Sequence, residues 1–76
     1  MNKIRRKQLS DIRAQIEELQ ALIEEVRDEE QEAFDNLPES LQNSERGQAM
    51  EDAIQNMDDA MGWLEDSLGC LEEAEA

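Results

Sequence analysis

LSDIRAQIEELQALIEEV, residues 9–26, carries its apolar side chains at Leu9, Ile12, Ile16, Leu19, Ile23 and Val26. The steps between them run three, four, three, four, three. That alternation is a heptad seam, with Leu9, Ile16 and Ile23 at a and Ile12, Leu19 and Val26 at d. Glu30 interrupts the row, and Ala33 and Leu37 rejoin it. Further along, Met50, Ile54, Met57, Met61, Leu64, Leu68 and Leu71 repeat the pattern. Low hydrophobicity with high net charge is by itself the composition of a disordered chain. A disordered acidic chain has no reason to keep a heptad, so the spacing predicts two long helices.

Between the two seams lies the only punctuation, from Asp35 to Ser44. Pro38 cannot continue a preceding helix but suits the start of a new turn. Asn43 or Ser44 can cap the second helix, with Glu45 well placed for its dipole. The reading is all-α: helix one at about 3–35, a turn at about 36–43 and helix two at about 44–73, each roughly 45–50 Å long. So short a linker forces the rods to run antiparallel, giving one helical-hairpin coiled coil over residues 1–76.

Composition narrows the chemistry. The 76 residues hold 21 Asp and Glu against 7 Lys and Arg, a formal net charge of -14, with no His and one Cys. No zinc-finger ligand set, internal disulfide or His-dependent catalytic triad can be assembled from these. No calcium-binding loop or glycine-rich phosphate loop occurs, and acids seven apart on a helix cannot converge on one ion. The expectation is a protein that is not an enzyme and takes no cofactor or metal. A net negative surface argues against nucleic acid or an anionic membrane as direct partner. No apolar run approaches membrane-spanning length. A lone Cys fits a reducing cytoplasm.

Charge is unevenly placed. Lys3, Arg5, Arg6, Lys7 and Arg13 put five of the seven basic residues in the first thirteen positions. In an antiparallel hairpin they are expected beside Glu72, Glu73 and Glu75. The remainder is far more acidic than the net charge suggests. Helix two carries Glu51–Asp52, Asp58–Asp59, Glu65–Asp66 and Glu72–Glu73, four pairs at seven-residue steps. Helix one carries Glu17–Glu18 and Glu24–Glu25. A seven-residue step is about 10.5 Å of helix, so the pairs form a stripe along the rod. Two readings follow: a solvated face that serves solubility, or an anionic ridge that occupies the nucleic-acid site of a basic protein. The first is the ordinary reading of an acidic helix face, and the shortage of lysines for i,i+4 pairing adds weight to the second. Glu51, Asp52, Asp58, Asp59, Glu65 and Asp66 are its candidate partner-binding residues.

Beside the helix-two seam runs a second row: Ala53, Asn56, Ala60, Trp63, Ser67, Cys70 and Ala74. It is small and uncharged, with one indole, and Gly62 and Gly69 lie next to it. Helix one has only the scattered Ile4, Leu22 and Phe34. A helix with two apolar faces needs two neighbours. The expectation is a homodimer that buries Ala53, Asn56, Ala60, Trp63, Ser67 and Cys70 against a twin in a four-helix bundle. The other reading is a docking groove anchored by Trp63. Met50, Met57 and Met61 are read as core filler, and Cys70 as a small buried hydrophobe.

The segment from Asn36 to Glu51, containing Asn36-Leu37-Pro38-Glu39-Ser40-Leu41 and Arg46-Gly47-Gln48-Ala49-Met50-Glu51, resembles small acidic helical proteins encoded by phages and prophages of Gram-positive bacteria. The resemblance implies a genomic setting and transfers no binding residue. Small acidic phage proteins include inhibitors of host or defence enzymes, CRISPR nucleases among them, that mimic nucleic acid. Together these readings predict an acidic module that binds the basic surface of a host nucleic-acid-binding protein or nuclease. The alternative is a structural coiled coil whose acids keep it in solution.

Overall fold

A computed structural model describes residues 1–76 and is all-helical: α1 spans Lys3–Asp35, α2 spans Glu39–Gln42 and α3 spans Glu45–Glu75. The molecule is a rod with principal extents of 58 × 15 × 12 Å. Helices α1 and α3 are the two rods read from the heptads, packed side by side and antiparallel. The Asn2 side chain caps α1 by accepting from the Arg5 N–H at 2.8 Å. Ser44 caps α3, its hydroxyl accepting from the Gly47 N–H. Neither cap offsets the dipole mismatch: α1 has no acid in its first turn, and neither long helix has a basic residue in its last.

The turn is closed by side-chain and backbone contacts together. Pro38 opens α2, and the Gln42 amide donates to the carbonyl oxygens of Phe34 at 3.3 Å and Leu37 at 3.2 Å. Gly47, in the first turn of α3, lies against this corner and is buried. A Cβ there would overlap the Gln42 carbonyl oxygen and sit 2.6 Å from that of Leu41. Gly62 and Gly69 have nothing near them in the hairpin. Helical spacing sets them apart from the small row, between the two acidic columns of α3.

The seam of α3 is the one predicted. Met50, Ile54, Met57, Met61, Leu64, Leu68 and Leu71 are all buried or half-buried, continued by Gly47 at one end and Glu75 at the other. The seam of α1 is rotated. Its half-buried row is Leu9, Arg13, Ile16, Gln20, Ile23, Arg27, Glu30, Phe34 and Leu37. The a residues therefore pack inward as expected, but their companions are the e residues Arg13, Gln20, Arg27 and Phe34. The d residues Ile12, Leu19 and Val26 are left exposed.

A polar ladder explains the rotation. Arg13 bonds Glu72 and Glu75, Gln20 donates to Glu65 at 3.1 Å, and Arg27 donates to Asp58 at 2.9 Å. The rungs step seven residues along each helix and fix the register. A second Gln20 bond, at 3.4 Å, reaches the Met61 carbonyl. Long Arg and Gln stems cover apolar surface while their heads find partners. The resulting core is thin: only Ile54 and Leu68 are buried hydrophobics, at 7% and 8% exposure. No helix is long and apolar enough to cross a membrane.

Candidate functional site

Because the α1 contact is rotated, the hairpin has two unlike broad faces. One is acidic. On α3 it carries two columns: Glu51, Asp58, Glu65 and Glu72 beside the seam, and Asp52, Asp59, Asp66 and Glu73 further out. Between these columns run Gln48, Gln55, Gly62 and Gly69. Glu17 and Glu24 of α1 flank the same side. The six predicted ridge residues are thus aligned, but they are not equivalent. Asp58 is half-buried and tied to Arg27, and Glu65 is tied to Gln20. Glu51 makes no hydrogen bond or ion pair, nor do Asp52 and Asp66; Asp59 accepts only from its neighbour Gln55 at 3.0 Å. The ladder takes up Asp58, Glu65 and Glu72 of the inner column and leaves Glu51 and the outer column without a cation.

Sequence reasoning missed this division, although its signal was present in the matching seven-residue steps of Arg13, Gln20 and Arg27. Both arginines are held in their charged form. Arg13 is pushed above its usual value first by its hydrogen bond to Glu75. Desolvation opposes that shift, and the charges of Glu75, Glu72 and Glu17 reinforce it. Arg27 is raised mainly by hydrogen bonds to Asp58 and Asp28. Raised values mean that the stabilisation is complete below the unfolded arginine pKa and is lost only as pH climbs past the folded one. Neither arginine acts as a switch below that range.

The ion-pair census shows how unbalanced the surface is. Asp11, Asp28, Asp58, Glu72 and Glu75 are the acids in ion pairs, which leaves sixteen of the 21 without one. The basic start was expected to lie beside the acidic finish. Only Arg13 does so; Lys7 pairs along its own helix with Asp11 at 2.6 Å. The register explains this, since Glu72 and Glu75 stand level with Arg13 and residues 3–8 of α1 reach beyond α3. Nowhere do three or more acids or Cys converge where a metal ion would sit.

The opposite face is apolar. Ile12, Leu19, Leu22 and Val26 of α1 are between 43% and 56% exposed, and Trp63 of α3 is 69% exposed. Leu19, Leu22, Ile23 and Val26 share a shallow groove with Asn56, Met57 and Ala60. The small row of α3 and the displaced d row of α1 therefore adjoin on one side of the hairpin. Helix one has a second apolar face after all. Within this row Ala53 and Ala60 are half-buried, while Asn56, Trp63, Ser67, Cys70 and Ala74 are exposed. Cys70, expected as a buried hydrophobe, is an exposed free thiol in the single hairpin. The Ser67 hydroxyl is turned back onto the Trp63 carbonyl at 3.0 Å.

No family model, curated protein or solved structure matches the chain.

Proposed function

We propose that this protein is a non-enzymatic acidic binding module, working as a homodimer in a four-helix bundle. Its acidic face engages the basic surface of a nucleic-acid-binding protein, in the manner of a phage-encoded nucleic-acid-mimic inhibitor of a host or defence nuclease. The observation that carries the reading is the free outer column Asp52, Asp59, Asp66 and Glu73. Four carboxylates stand at steps of about 10.5 Å along one straight helix, and none has a cation bound to it.

The Gly62–Gly69 column supports the same reading. An interior helical glycine costs about 1 kcal/mol relative to alanine, and nothing in the hairpin requires either one. Between two acidic columns they leave side-chain-free backbone against which a partner's arginine can lie. The charge is sparser than the one per roughly 1.7 Å of duplex DNA. It therefore suits a localised cluster of Arg and Lys better than a full duplex channel. Dimerisation follows from the thin core and the exposed apolar face, which a chain of this length covers most simply by association.

The test is capture of proteins from a bacterial lysate at low and high salt, with added duplex DNA as competitor. Wild type is expected to retain nucleic-acid-binding proteins that salt or DNA releases. The Asp52→Asn/Asp59→Asn/Asp66→Asn variant is expected to lose them. Capture that survives both salt and the triple substitution would instead favour the assembly reading, for which the apolar face is the supporting observation.

A further inference from the structure

We infer that the second copy covering the apolar face runs in the opposite direction, so that the turns of the two hairpins lie at opposite ends of the bundle. This rests on the self-association proposed above and goes on to fix its polarity and register. The face has room for it: at 58 Å by 15 Å it can supply the about 800 Å² per partner of a standard interface.

Charge selects the direction. Residues 1–8 carry four basic residues and no acid; residues 28–39 carry six acids and no basic residue. Lys3, Arg5 and Arg6 make no ion pair within the hairpin. With turns at the same end, the two acidic turns would meet each other, and residues 1–8, which reach beyond α3, would have near them only Glu73 and the already paired Glu72 and Glu75. With turns opposed, α1 lies over its own copy antiparallel, and each basic start meets the acidic end of the other α1.

The columns on this face fit that arrangement in detail. One column of α1 reads Arg5, Ile12, Leu19, Val26 and Ala33; its neighbour ends in Leu22 and Glu29. Arg5 and Ile12 line one shallow groove, so Arg5 faces the same side as the apolar row. Placing Leu19 against Leu19 of the second copy brings Ile12 to Val26 and Arg5 within reach of Glu29. A two-fold axis requires such self-complementarity. The intramolecular ladder sets Leu19 level with Glu65 and Asp66, so the same axis brings Trp63 between Ser67 and Cys70 of the second copy. The large indole then meets the small part of the row, and the exposed thiol becomes covered.

The test combines a mass with a distance. Sedimentation equilibrium reads whether a dimer forms. Double electron–electron resonance on Ser40→Cys, spin-labelled in a Cys70→Ser background, reads the distance between the two turns. Opposed turns place the labels about 55–60 Å apart, since Ser40 lies some twenty helical residues from Leu19. Turns at one end place them about 10–20 Å apart, the scale of neighbouring helix axes. The long distance supports the inference. A dimer with the short distance overturns the polarity alone, and a monomer at all concentrations overturns the self-association beneath it. Arg5→Glu should raise the dimer Kd by about three- to tenfold, and Glu29→Arg in the same chain should restore it. A reversal pair that fails to restore affinity overturns the register.

Discussion

The two broad faces of this hairpin share a scaffold and obey different physics. The acidic face repels its own kind, reaches several ångströms into solvent and weakens with salt. The apolar face gains by exclusion of water and is indifferent to the sign of its neighbour's charge except at its ends. The contrast arises because the seam of α1 turned toward its arginines. Had Ile12, Leu19 and Val26 packed inward, the hairpin would have a fuller core and only the small row around Trp63 left to cover.

The largest effect comes from removing the scaffold beneath both faces. Ile54→Ala and Leu68→Ala delete the only two buried hydrophobics and should each cost about 2–4 kcal/mol. Urea unfolding should show the loss, and both faces should fail together. Trp63→Ala should separate the faces. Dimerisation is expected to weaken by about 2 kcal/mol or more, as for a central aromatic anchor, with helix content at high concentration unchanged. Partner binding should fall only insofar as it needs two copies, and analytical ultracentrifugation beside a binding assay reads both.

The acidic triple variant, Asp52→Asn/Asp59→Asn/Asp66→Asn, should act in the opposite sense. Affinity for a basic partner is expected to drop about tenfold or more, because several charge contacts are lost together. Removing like charges from both copies should leave the dimer as tight or tighter. Raising salt should mimic it, weakening the partner complex while screening the repulsion between two chains of charge -14. The smallest effects lie at the glycines. Gly62→Ala and Gly69→Ala meet open space and should each stabilise the helix by about 0.5–1 kcal/mol. Gly47→Ala, pressed against the turn, should destabilise. A weaker partner complex for Gly69→Ala despite its greater stability would assign the glycine column to binding.

Most of the architecture was legible from spacing. The α3 seam follows all seven predicted residues, and the helix limits and Ser44 cap fall within a residue or two of the pattern. The rotation of α1 was not legible from hydrophobicity, because its a residues serve equally in an a/d or an a/e contact. Apolar periodicity cannot tell a face packed within the chain from a face packed against another. The tie is broken by Arg13, Gln20 and Arg27 answering Glu72, Glu65 and Asp58, a match between distant segments that a helix-by-helix reading does not compare. The same match ties down Asp58, Glu65 and Glu72 and leaves Glu51 and the outer column of the ridge without a cation. The constraint on Gly47 is not visible along α3 itself because it comes from the turn folding back on that helix, whereas Gly62 and Gly69 carry no constraint in the hairpin.

Self-association as proposed covers the apolar face with a second copy and leaves the acidic face open. Chemical footprinting across a dilution series tests both halves at once, with oxidation reporting Trp63 and carbodiimide labelling reporting Asp52, Asp59 and Asp66. The prediction is that Trp63 becomes protected as concentration rises, while the three carboxylates remain reactive throughout. Equal reactivity of Trp63 at every concentration, or protection of the carboxylates in step with it, would rule that arrangement out.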